Sequence, residues 1–158
     1  MSEPVELPGK PVSASRMSIA QLMNPEHANN HGNVHGGWIM KLIDEAGGLA
    51  CMRHAQRRVV TVAVDTLTFR KPIFLGNLVT ITAEVSYVGR TSMEVEVQVF
   101  AEDMIHGTKI HTNTAYLVYV ALDKQGRSAP VPGLIPETEA QRQRMQAGRK
   151  RQEERLKS

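Results

Sequence analysis

The chain has 158 residues, so one domain is the expected organisation. Its 41% hydrophobic and 22% charged content supports a core and excludes a disordered polyelectrolyte. The single cysteine, Cys51, excludes an intrachain disulfide and argues against a thiolate-rich metal site, and the net charge is only +3.

The first segment, MSEPVELPGKPVSAS, is polar and proline-rich; residues 1–14 are expected as a flexible leader, not as a signal peptide. No apolar run approaches the ~18 residues of a membrane span, so the expected setting is a reducing, cytoplasmic one. Ser15–Met23 fits either a strand or a short helix. Asn24–Gly37 has loop chemistry, with Pro25 and clustered Asn and Gly. Trp38–His54 reads as a helix, because Ile39, Leu42, Ile43, Ala46, Leu49 and Ala50 share one face. Met40 and Cys51 add apolar surface elsewhere, so that helix should be surrounded.

Four segments rich in Val, Thr, Ile and Tyr follow: Val59–Phe69, Leu78–Val88, Met93–Asp103 and Ile110–Asp123. They alternate apolar and polar residues and are separated by short turns, the signature of antiparallel neighbours. In the third, Met93, Val95, Val97 and Val99 form one face; Glu94, Glu96 and Gln98 form the other. SAPVPGLIP (Ser128–Pro136) ends the sheet. A charged helix occupies the remainder, within a C-terminal extension 133–158. From Glu137 to Ser158 seven Arg/Lys face four Glu, which equals the whole net charge. That tail reads either as a solvated surface helix or as a landing site for a small polyanion. With 4% aromatics and no recognisable motif, nucleic acid is not an expected partner. The fold class is therefore α+β: one buried helix and a curled antiparallel sheet of four or five strands, the domain covering 15–132.

The chemistry concentrates in GNVHGGWIMKLIDEAGG (Gly32–Gly48). Asp44 lies two turns into an apolar helix, and Gly47 and Gly48 each cost about 0.5–1 kcal/mol relative to Ala. Close approach by another backbone or a ligand would explain them. Gly36-Gly37 opens the helix, where free N–H groups and the helix dipole favour negative charge. Such donors stabilise an oxyanion, and a carboxylate nearby can activate water or attack a carbonyl. Together they suggest acyl transfer, most simply hydrolysis; an Asp at the polar edge of the helix is the plainer alternative. His27, His31 and His35 follow an i, i+4 spacing, but in a loop, so metal binding is not expected. Cys51 reads as a small buried hydrophobe.

NNHGNVHGGWIMKLIDEAGG, then VVTVAVDTLTFRKPIFLGNLV, then YVGRTSMEVEV closely resembles the hotdog-fold acyl-CoA thioesterases, over about Ser15–Val131. The resemblance implies a curled sheet around a central helix, with active sites between two such units. The chain would then be at least a homodimer, commonly a trimer of dimers (a hexamer). It implies that Asp44 is the catalytic acid, acting as general base or nucleophile. It further implies that Asn29 enters from the partner subunit and that the Gly37 amide polarises the thioester carbonyl. Gly89, Arg90, Thr91 and Ser92 match the segment meeting the nucleotide part of coenzyme A, with Arg70 and Lys71 adding charge. His35 and Trp38 stand where they could shape the acyl pocket or the interface. No metal or redox cofactor is implied; coenzyme A enters as part of the substrate. Two alternatives stay open on this fold: a hydratase or dehydratase pairing His35 with Asp44, and a non-catalytic acyl-CoA sensor.

Overall fold

The computed structural model describes residues 7–65 and 67–157. In chain order its elements are β1 (Lys10–Pro11), β2 (Met17–Leu22), α1 (Gly36–Ala55), β3 (Arg58–Val64), β4 (Leu78–Val88), β5 (Ser92–Asp103), β6 (Thr108–Leu122), β7 (Leu134–Ile135) and α2 (Glu139–Lys157). Strands β2 to β6 form one antiparallel sheet in the order β2-β4-β5-β6-β3. The ambiguous segment Ser15–Met23 thus supplies the fifth strand, at one edge.

Helix α1 follows one edge strand and runs into the other, so the connection must cross the sheet. It packs on all five strands. This is why Ile39, Ile43, Ala46 and Ala50 are at most 1% exposed. The concave side of the sheet meets them with Val79, Ile81, Val95, Val97 and Leu117, none of which is exposed. This is the curled sheet around one central helix that the periodicities lead one to expect, and the hotdog arrangement that the resemblance implies. His35 caps the helix through its side chain, and Gln56 ends it in the left-handed region (φ 53°).

Three expectations are corrected. The strand expected over Val59–Phe69 ends at Val64. A bulge interrupts its pairing with β6 between Thr61 and Ala63, and the Asp65 carboxylate is drawn away into an ion pair with Arg155 (2.8 Å). Within the expected leader, residues 7–14 are built into the fold, while residues 1–6 lie outside the described residues. Lys10–Pro11 pairs with β7, Val12 is buried, and Lys10 Nζ donates to the His54 carbonyl at the end of α1 (2.8 Å). Finally, Glu94, expected on a polar face, is 2% exposed. Helix α2 covers it from the convex side, and the close fit needs Gly148, where a Cβ would lie 2.8 Å from Glu94 Oε1.

Three of the seven basic residues of the tail are used in this docking. Arg151 grips Glu94 through two hydrogen bonds (2.8 and 2.9 Å), Arg155 bridges Glu94 and Asp65, and Arg144 pairs with Glu84. Ser86 donates to Glu94 as well (2.6 Å). Burial pushes the Glu94 carboxyl up, but the hydrogen bonds from Arg151, Ser86 and Arg155 outweigh it and hold it below its ordinary value.

Candidate active site

Asp44 sits mid-helix on α1, half-buried where the helix faces β3 and β6. Thr61 Oγ1 donates to its Oδ1 at 2.7 Å, and the Tyr119 hydroxyl donates to the same oxygen at 2.9 Å. Tyr119 also donates to the Asp44 backbone carbonyl (2.8 Å). Among the described residues no hydrogen bond is made to Oδ2. One carboxylate oxygen accepts from two neutral donors; the other keeps its lone pairs open among the described residues.

This arrangement revises the reading of the glycines. A Cβ at Gly47 would lie 2.6 Å from the Tyr119 hydroxyl and 3.0 Å from Val95. The close approach is therefore by the phenol, a core side chain, and Gly47 is the notch that receives it. At Gly48 the same ring lies at an ordinary 3.6 Å. Neither Thr61 nor Tyr119 was singled out from sequence. Tyr119 is 75 residues from Asp44, and nothing local in YLVYV separates it from an ordinary sheet tyrosine.

The loop before α1 is held by Asn29. Its Oδ1 accepts from the backbone amides of His31 (2.8 Å) and Asn33 (3.1 Å), so the carboxamide oxygen is committed. Its amino group makes no hydrogen bond among the described residues and remains a donor. Asn29 borders a cleft of about 400 Å³ with Gly36, Phe69, Arg70 and Lys71. The two expected charges thus meet Asn29. Asp44 does not border this cleft, so one chain carries the two key groups in separate places.

The remaining expected residues fall as follows. The Gly37 amide donates to His35 Nδ1 (2.8 Å), so in this structure the cap occupies it. Trp38 stacks on His27 (4.3 Å between rings) and donates to Gln21 (3.1 Å). Neither His35 nor Trp38 borders the Asn29 cleft. Gly89, Arg90, Thr91 and Ser92 form the β4–β5 turn. The Gly89 amide donates to the Ser92 carbonyl, and the carbonyls of Thr91 and Arg90 accept from Ala121 and Val131. The side chains of Arg90, Arg70 and Lys71 make no hydrogen bond or ion pair among the described residues. Cys51 is buried, and burial drives its thiol well above the usual range. No group of three potential metal-ligating His, Cys, Asp or Glu side chains occurs among the described residues. No described helix is long and apolar enough to cross a membrane.

Comparison with known proteins bears on this geometry. A family model described as the thioesterase superfamily matches residues 31–107. The human cytosolic acyl coenzyme A thioester hydrolase is 38% identical over 142 residues, 89% of this chain and 37% of that protein. The chain therefore spans little more than a third of the length of that relative. An apo-hexameric acyl-CoA thioesterase superposes with a TM-score of 0.91 at 33% identity, covering 96% of this chain and 97% of the other. An acyl-CoA hydrolase from Staphylococcus aureus, in complex with butyryl coenzyme A, coenzyme A and coenzyme A disulfide, gives 0.87 at 35% identity, covering 94% and 91%. That enzyme has also been solved with alanine in place of an asparagine, an aspartate and a threonine spaced by 15 and 17 residues. Asn29, Asp44 and Thr61 have the same spacing here. By its central helix, its five-stranded sheet and these likenesses, the chain belongs to the thioesterase superfamily, within the hotdog-fold acyl-CoA thioester hydrolases.

Proposed function

We propose that this chain hydrolyses the thioester of fatty acyl-CoA to the free acid and coenzyme A, with Asp44 as general base or nucleophile. The carrying observation is the Asp44 carboxylate, held by Thr61 and Tyr119 on one oxygen with the other oxygen left open. In the general-base route Oδ2 takes a proton from water while the water oxygen bonds to the thioester carbon. Collapse of the tetrahedral adduct breaks the C–S bond, and the departing thiolate receives that proton. Asn29, its oxygen tied down and its amino group free, suits a donor to the carbonyl or the water. Because Asn29 and Asp44 lie apart in one chain, they complete one site when Asn29 enters from a second copy. The functional unit is then a homodimer at least, and assembly into a hexamer is proposed from the hexameric relative. Polarisation by the Gly37 amide requires the His35 ring to turn off it. The unpaired Arg70, Lys71 and Arg90, with Gly89, Thr91 and Ser92, are proposed to hold the phosphates of coenzyme A.

The test is release of free thiol from acetyl- to palmitoyl-CoA by the wild-type chain, Asp44→Asn and Asn29→Ala. Loss of about 10²–10⁴-fold in kcat for a folded Asp44→Asn is expected. Binding of acyl-CoA without thiol release at any length would favour the sensor or hydratase instead.

A further inference from the structure

Tyr119 reaches α1 from near the C-terminal end of β6, and the residue is 2% exposed. Phenylalanine would fill the same apolar space and need no hydrogen-bond partner. The hydroxyl is accommodated only because residue 47 is glycine: a Cβ there would stand 2.6 Å from the phenol oxygen. Glycine inside a helix costs about 0.5–1 kcal/mol relative to alanine. A tyrosine in a hydrophobic row and a glycine in a helix interior thus serve the same contact, the hydroxyl's hydrogen bond to Asp44. The phenol has one proton, shared between Asp44 Oδ1 (2.9 Å) and the Asp44 carbonyl (2.8 Å). This ties the side-chain torsion of Asp44 to the helix backbone.

We infer that Tyr119 is a positioning residue for hydrolysis. With Thr61 it donates to Oδ1, so that only Oδ2 faces the reacting water and thioester carbon. The inference rests on the proposed role of Asp44. Tyr119 itself remains a donor throughout, because burial and then the adjacent Asp44 drive its phenol well above the usual range.

The test compares wild type, Tyr119→Phe, Gly47→Ala and Asp44→Asn as full-length chains, measuring kcat and KM for one acyl-CoA across pH. Tyr119→Phe keeps the ring and removes only the donor. The expected result is a roughly tenfold lower kcat with little change in KM. Gly47→Ala should do the same without touching residue 119, by forcing the hydroxyl off Asp44. The two effects should be strongly non-additive in the double variant. If Tyr119→Phe keeps the wild-type kcat, the inference is overturned. A fall in kcat that simply adds to that of Gly47→Ala in the double variant overturns it as well, since packing alone would explain that. Should Tyr119→Phe fail to fold, Gly47→Ala decides by the same two readouts. If Asp44→Asn retains the wild-type rate, the role of Asp44 fails and this inference with it. An inactive Asp44→Asn beside an unaltered Tyr119→Phe sinks only the role of Tyr119.

Discussion

The ion-pair cluster under α2 supports a quantitative test through Arg151→Met, which keeps an apolar stem and removes the guanidinium. Arg151 makes two charge-assisted hydrogen bonds to a carboxylate that is 1% exposed, and stacks 3.7 Å above the Tyr116 ring. Bonds to charged groups contribute about 1.5–3 kcal/mol each, and a cation over an aromatic face about 0.5–2. Arg151 is 28% exposed, and Arg155 and Ser86 still hold Glu94 in the variant. The low ends therefore apply, giving a loss of about 3.5 kcal/mol. For a chain of this size that corresponds to a Tm lower by about 7–14 °C. Urea and thermal unfolding at one fixed protein concentration measure it, since assembly makes stability concentration-dependent.

The pH dependence supplies a second reading. The folded Glu94 carboxyl is held below its ordinary 4.5, so its contribution is complete above 4.5 and lost as pH falls through the folded value. The gap between wild type and Arg151→Met should be constant near neutrality and shrink in acid. A gap under about 1 kcal/mol at neutral pH, or one that does not narrow in acid, would refute the view of Glu94 as a buried, ionised anchor.

Gly148→Ala sets two effects against each other. Helix propensity favours alanine by about 1 kcal/mol, but the new Cβ would lie 2.8 Å from both Glu94 Oε1 and Tyr87 Cβ; overpacking at about 1–3 kcal/mol should win and lower the urea midpoint. His54 is buried with Nε2 on the Pro132 carbonyl (2.8 Å), and burial lowers its affinity for protons. The unfolded chain then binds more protons, so stability should fall as pH drops through 6.5 toward the folded value, at no more than about 1.4 kcal/mol per pH unit. In His54→Gln that part of the slope should vanish in denaturant titrations. Cys51, fully buried with its thiol driven upward, should not react with a thiol reagent in the native chain. One equivalent should appear only on denaturation, leaving the coenzyme A assay free of background.

Much of this molecule is readable along the chain. The spacing of Ile39, Leu42, Ile43, Ala46 and Ala50 specifies a helix with a wide apolar face. The alternation in Leu78–Val88 and Met93–Asp103 specifies strands, since each period belongs to one backbone geometry. Asp44 stands out because a charge beside two glycines on the flank of such a helix needs a reason. Segment ends were less legible: Val59–Phe69 has strand composition to its end, yet the strand stops at Val64, next to Asp65, whose side chain pairs with Arg155.

What only the tertiary structure decided is which groups surround that charge. Thr61 and Tyr119 converge on Asp44 Oδ1 across 17 and 75 residues because β3 and β6 pair beside α1. Gly47 appears in the sequence as an expense without a beneficiary, and its partner became visible only once the β6 register placed a phenol above it. The basic tail likewise reads as free positive charge until α2 docks and Arg144, Arg151 and Arg155 find Glu84, Glu94 and Asp65. Local periodicity depends on neighbours within a turn or two. The environment of a charge depends on residues brought within 3 Å by strand pairing, and one-dimensional order does not record that distance.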